Sequence, residues 1–470
     1  MFAEILKTPS RYDCLKRPSV LALENLDFTL FHLIALLLFV GAIIHTLSVH
    51  QIHRYARSLE ATKAPKRLGR PGRSVAVQVL YFLSQVEIVF AVWVIPLFLV
   101  IANFYGWGTA LEYVNTRDYT EALFVVIILC IASTKPIIQF AERLILWLAK
   151  GLGGTLSAWW FTLLTVGPLL GSFITEAGAM AISALLLSRQ FYAHRPSKKL
   201  AYATIALLFV NVSVGGVLTH FASPAILILS HAWHWSNSYL MITFGWKAAL
   251  GILLANCSYW YVFRKEFSRL NEWKKGMRRP DVSIEEEKPV PYWVTGVHLV
   301  FMALIVMSSL YPAIFIAAFL FFIGFYQSTR QHQCQLKLTH PLLVGLFIAG
   351  LVIHGGLQGW WVLKALADRS PAQVLGLTMS LTAFSDNAAI SYLATLIPNW
   401  GKLFQYALLT GVIAGGGLTV IANAPNPAGY VILSKHFDGG ISPWHLFKAA
   451  LLPTFIMYAV FILLSPLLRF

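Results

Sequence analysis

Long apolar runs separated by short polar connections fill this chain. A bilayer span needs about 20 apolar residues, and runs of that order fall at 28–48, 75–104, 120–149, 239–263, 341–365 and 444–468. A further run, 292–327, is interrupted at Tyr311-Pro312 and predicts two spans joined by a tight turn. Glycines interrupt two more, 200–232 and 403–434, which predict broken helices and bring the expected total to about ten spans. Two apolar segments remain, 153–188 and 371–399, each with a carboxylate near its middle, Glu176 and Asp386. Either segment fits one span with a buried charge, or a helical hairpin that enters and leaves on the same side.

Basic residues decide between these alternatives, because Lys and Arg collect on the cytoplasmic side of a membrane protein. They cluster at 49–74, 189–199 and 264–291, whereas the opposite connections hold only Arg117, Arg369 and Lys402. A simple span at 153–188 would put one of the first two clusters outside, so two hairpins are expected. The predicted fold is therefore all-α and integral to the membrane, with about ten transmembrane helices and two re-entrant helical hairpins. An N-terminal segment (1–27) precedes a first repeat (28–263), a cytoplasmic linker (264–291) and a second, inverted repeat (292–470). Each repeat has three spans, a hairpin, a broken helix and a last span. The N-terminus falls outside despite Lys7, Arg11, Lys16 and Arg17, since the competing 49–74 loop is more basic.

The breaks themselves repeat. GGVLTHFASP (215–224) and GGGLTVIANA (415–424) share Gly215/Gly415, Gly216/Gly416, Leu218/Leu418, Thr219/Thr419 and Ala222/Ala422 at an offset of 200. Paired interrupted helices in two halves of a membrane protein point to a transporter's binding site. Composition agrees, with 57% hydrophobic and 12% charged residues, about half the charge of a soluble domain. The net charge of +16 does not signal nucleic acid, because it resides in the membrane connections. Cys14, Cys130, Cys257 and Cys334 are far apart and form no zinc or redox motif, no cofactor is indicated, and no secretory signal peptide is visible.

Among the acidic residues, Glu87, Glu142, Glu176 and Asp386 lie well inside apolar segments, where an ionisable group is costly and functional by default. Glu176 in Thr175-Glu176 and Asp386 in Ser385-Asp386-Asn387 occupy the expected hairpin tips. Gly215-Gly216 and Gly415-Gly416-Gly417 would let the helices unwind, beside oxygens from Thr219, Thr419, Asn423 and Asn426. Oxygen ligands of this kind suit a hard cation such as sodium. A weaker repeated pair, Lys135/Gln139 and His354/Gln358, keeps a spacing of four that would place each pair on one helix face. Lys135, His354 and Glu87 are candidates for coupling. His50 and His53 gather with His45 near the first basic loop, and interfacial histidines of this kind are mostly structural.

With these motifs in view, the chain resembles the ion-transporter superfamily, which includes sodium/proton antiporters, arsenite permeases and di- or tricarboxylate carriers. Its bacterial sodium/proton antiporter group is the most similar, over about 120–260 and 340–468. The resemblance implies an elevator-type transport domain, a scaffold that often forms a homodimer, and a multi-pass protein of the bacterial inner membrane. It also carries over Thr175, Glu176, Gly215, Gly216, Thr219, Ser385, Asp386, Asn387, Thr419 and Asn423 as site residues. Dicarboxylate carriers have uncharged tips, so Glu176 and Asp386 depart from them toward a cation or proton. The expected function is cation/proton antiport, sodium first, with proton and cation competing for one carboxylate, Asp386. A carrier of a small oxyanion or organic acid is the alternative, kept open by Lys135. An enzyme is not expected: an intramembrane aspartyl protease would need a Gly-x-Gly-Asp motif that is not present.

Overall fold

The computed structural model describes residues 29–63, 74–276, 289–309, 311–336, 338–366, 369–397, 400–437 and 440–465. The N-terminal segment, much of the linker and part of the 49–74 cluster lie outside the described residues. Among those described, every regular element is helical. Leu156–Ile174, Lys198–Leu218, Asn237–Val262 and Pro443–Leu463 are each long and apolar enough to cross a bilayer, and Val89–Tyr105, Tyr292–Met307, Pro312–Ser328 and Thr339–Gly355 are shorter apolar helices. The protein is a multi-pass integral membrane protein.

Three expected spans differ in detail. The first runs on as helix to Lys63, 15 residues past its apolar stretch. The second stops at Leu83 and restarts at Val89, with Glu87 in a 3₁₀ turn between the two helices. The third bends by 64° between Thr120–Ala132 and Lys135–Gly151. Its cause is Pro136 in the first turn of the second helix, which lacks the N–H that would bond the Ala132 carbonyl, and Thr134 before it is extended.

The chain forms two compact units, each drawing on both halves of the sequence. Unit 1 comprises Met1–Ala122, Leu342–Asp368 and Tyr392–Pro398. Its core packs Phe31, Ala35, Leu97, Ile101, Ala110, Tyr113, Ile353 and Leu357. Histidines bind the helix ends exposed by the interruption of the second span. His45 Nε2 donates to the Leu83 carbonyl (2.9 Å) and its Nδ1 accepts the Trp93 indole N–H (3.1 Å), while His53 Nδ1 meets Ser84 Oγ (3.2 Å). Both ring nitrogens of His45 are thereby engaged. His45→Leu leaves one donor and one acceptor unpaired, at about 1–3 kcal/mol each. Its unfolding midpoint in detergent is expected several degrees below wild type, and an unchanged midpoint would refute the clasp.

Unit 2 comprises Leu123–Pro341, Arg369–Ser391 and Asn399–Phe470. It contains both breaks and both hairpin tips. The first hairpin is two packed helices, Leu156–Ile174 and Glu176–Gln190, and the second begins with Pro371–Phe384 and turns into Asn387–Thr395. Pro168 inside the first arm cannot donate to the Leu164 carbonyl four residues back. Two buried amides take its place: Asn211 Nδ2 (2.8 Å) and Asn256 Nδ2 (3.0 Å) both donate to Leu164 O. Each comes from a different helix, so the kink becomes a three-helix junction.

Candidate functional site

At the first tip, Thr175 has φ 69°, a strained conformation for a β-branched residue that persists only where its surroundings enforce it. Enforcement comes from the neighbouring break, because the Glu176 N–H donates to the Ala222 carbonyl (3.0 Å). Ser172, one turn earlier, donates its hydroxyl to Gly215 O (2.8 Å) and accepts the Leu218 N–H (3.1 Å), while Thr219 Oγ1 donates to Ser172 O. Hairpin and break are thereby one hydrogen-bonded body.

The second tip repeats these contacts. Asn387 N–H donates to Ala422 O (3.1 Å), and Thr419 Oγ1 donates to Ala383 O (2.8 Å). Equivalent hairpin residues differ by 211 positions, as in Ser172/Ala383, while the breaks keep their offset of 200. Glu176 therefore corresponds to Asn387, and Asp386 to Thr175. The two acids stand one position out of register. Asp386 and Thr175 begin their helices as caps, with Asp386 Oδ1 accepting Ala388 N–H (2.8 Å) and Thr175 Oγ1 accepting Gly178 N–H (3.4 Å). Ser385, before the second tip, is extended.

Glu176 is buried, and its Oε2 accepts a 2.9 Å hydrogen bond from Asn423 Nδ2 of the other break. Its Oε1 makes no hydrogen bond of good geometry, although the Ser223 hydroxyl is near enough to act on the carboxylate, and Asn423 Oδ1 and Asn426 Oδ1 have no donor. Asn426 Nδ2 donates to Gly416 O and Thr419 O (both 2.8 Å), which holds that amide by the second break. Asp386 is close enough for its charge to act on Glu176. Unpartnered acceptors are rare among buried polar groups.

Both broken helices end at these glycines, Lys198–Gly215 and Lys402–Gly415, and the glycines also serve proximity. Gly215, Gly216 and Gly416 all keep helical backbone angles. A Cβ on Gly215 would lie 2.7 Å from the Pro168 carbonyl, one on Gly216 would lie 2.6 Å from Glu176 Oε1, and one on Gly415 would lie 2.6 Å from Met379 O. Their lack of side chains lets the hairpins approach and gives the Glu176 carboxylate its space.

Other candidates lie apart from this cluster. Glu87 and His354 belong to unit 1, where the buried His354 ring packs near Phe39 and Phe90. Gln358 does not share a helix face with it, because that helix ends at Gly355 and the Gln358 amide turns back to the His354 carbonyl. Lys135 opens the helix after the bend in unit 2, and Gln139 Oε1 accepts the Val290 N–H (3.1 Å). No group of three or more His, Cys, Asp or Glu able to hold a metal occurs among the described residues. One buried cation escaped sequence reasoning: Lys247, on the span Asn237–Val262. The signal was available as a lysine within an apolar run.

Apolar helices, two of them interrupted beside a buried acid, define a multi-pass integral membrane protein. The chain belongs to the family described as "Putative Na+/H+ antiporter", whose model matches residues 30–464. It is thus a member of an antiporter family, whose transported species are cations and protons. Among curated proteins, none matches the chain.

Proposed function

We propose that the chain exchanges a hard monovalent cation, sodium first, for protons by alternating access, with Glu176 as the shared ligand. The observation that carries this reading is the buried Glu176 carboxylate, fastened through one oxygen to Asn423 and making no hydrogen bond of good geometry through the other. Either a proton or a cation can occupy that oxygen, and one carboxylate cannot hold both. Loaded states then cross while the bare charge is held back by the cost of moving it through hydrocarbon. Asp386, expected from sequence to be the exchanging acid, becomes the neighbour that caps its helix and adds negative potential. Thr175, Thr219, Asn387 and Thr419 fix the two tips through their hydrogen bonds, and Ser385 leads into the second tip in extended backbone. On this reading unit 2 is the site-bearing part of an elevator in the bacterial inner membrane.

Proteoliposomes carrying an internal pH dye test it. Sodium added outside is expected to alkalinise the lumen as protons leave in exchange, with lithium next and potassium weakest. Stimulation by a small organic acid, with no pH response to any alkali cation, would move the assignment to the oxyanion or carboxylate carriers.

A further inference from the structure

Lys247 is only 3% exposed and lies ten residues into the 26-residue span Asn237–Val262. That is roughly 15 Å along a helix from its start, so the side chain is within the hydrocarbon layer rather than at its edge. An ionisable group at such depth is presumed functional, and its partner identifies the function. Among the described residues its hydrogen-bond partner is the Tyr406 hydroxyl (Nζ–Oη 3.0 Å), which passes its own proton to the Phe461 carbonyl (2.7 Å). The amine also lies 4.7 Å from the Tyr406 ring centroid and 5.7 Å from that of Trp246. Phe244 stacks on Tyr406 at 4.8 Å and holds the ring in place.

Two aromatic faces and a hydroxyl whose free lone pair faces the amine make a receptor for an ammonium ion. Among the described residues no carboxylate is hydrogen-bonded to it, and the packed helix Arg264–Gly276 holds Glu266, bound to Ser197, and Glu272 beyond the far end of the span. The packed arm Leu156–Ile174 has no ionisable side chain, Lys198–Gly215 has Lys198, Lys199 and Tyr202 only in its first turns, and Pro443–Leu463 has His445, Lys448 and Tyr458. Tyr239 is the other phenol near Tyr406. The helix is wound as a π-helix over Met241–Gly245, directly before the lysine. Such bulges recur at functional sites. Here the π turn packs on the first break, where a Cβ on Gly245 would lie 3.2 Å from Leu218 Cγ. Lys247 is thus built into the body that carries both acids, on a route from the first break to the helix leading into the second.

We propose that Lys247 is a charged site of the transport unit, a caged ammonium that balances one of its two carboxylates, so that a single bound cation or proton completes the neutral set. This rests on the cation/proton reading and sets its coupling: one cation exchanges for one proton. Without Lys247 the same unit would carry one more negative charge, or would need a second positive ion to cross.

The test measures exchange in proteoliposomes clamped with potassium and valinomycin. Lys247→Arg and Tyr406→Phe keep the charge and are expected to respond to potential as wild type does. Lys247→Gln is expected to differ by one charge, a several-fold change in relative rate over about 100 mV. An unchanged voltage response in folded Lys247→Gln protein overturns the proposal. A second readout needs no transport: in nitrogen-labelled lysine protein, the resonance missing from Lys247→Arg should be that of an ammonium at pH 7, and a neutral amine overturns the proposal even if Lys247→Gln does not fold. A wild type that exchanges no cation overturns the functional reading instead, and the resonance then decides the charge alone.

Discussion

Glu176→Gln is expected to stop cation-driven proton movement in proteoliposomes while leaving the protein folded. The amide oxygen can still accept from Asn423 Nδ2, so the 2.9 Å contact that fastens the two halves of the site survives. What disappears is the negative charge and the titratable oxygen. A hydrogen bond or ligand contact to a charged group contributes about 1.5–3 kcal/mol, so cation affinity should fall roughly 10- to 150-fold. Proton exchange should vanish outright, because glutamine has no proton to release in this range. A second measurement separates binding from turnover: a ligand that binds only the folded state raises its stability, so sodium should raise the unfolding midpoint of the wild type and not of the variant. Retained exchange in Glu176→Gln would remove this residue from the mechanism.

Asp386→Asn is the natural comparison, because asparagine caps a helix as well as aspartate does and only the charge is lost. The register of the two tips predicts a smaller effect than at Glu176. The reverse ranking would restore Asp386 as the exchanging acid.

That ranking could not be read from the sequence, although the candidate site could. Carboxylates inside apolar runs, and glycine pairs repeated at an offset of 200, marked the tips and breaks because charge and helix interruption are both costly in lipid. Aligning the tips by their acids pairs Glu176 with Asp386, whereas the backbone pairs residues by which N–H reaches the carbonyl of Ala222 or Ala422. Sequence carries charge openly and carries hydrogen-bond register only through the fold. The same limit explains His354 and Gln358, whose spacing matched Lys135 and Gln139 until the helix ended between them. The bend at Pro136 and the polar stretch Ser84-Gln85 were legible signals, outweighed by the length of the apolar runs around them. Lys247 stands alone in its apolar run, while the residues that solvate it, Trp246 and Tyr406, are 160 positions apart.

The largest stability effect is expected at Gly417→Ala, in the second break. Here the interruption lies against the backbone of the first broken helix, and a Cβ at 417 would overlap Val210 Cα and approach Val210 N at 2.6 Å. Backbone atoms cannot rotate aside as a flexible side chain can. The neighbouring contact shows how closely the two chains cross: Ser213 Oγ donates to the Ile413 carbonyl at 2.8 Å, and a Cβ at Gly416 would overlap that same hydroxyl. Overpacking a well-filled interior costs about 1–3 kcal/mol and sometimes more, and a clash against backbone belongs at the upper end. Gly376→Ala is the matched control, since it lies in the helix Pro371–Phe384 with nothing within 4 Å of its Cβ position. There alanine gains about 1 kcal/mol of helix propensity, so its unfolding midpoint should equal or exceed wild type. Gly417→Ala should instead lower the midpoint by many degrees or abolish the monodisperse detergent-solubilised species. Equal midpoints for the two variants would mean that the broken helices do not cross at Val210 and Gly417, and the Glu176–Asn423 contact that depends on that crossing would lose its support.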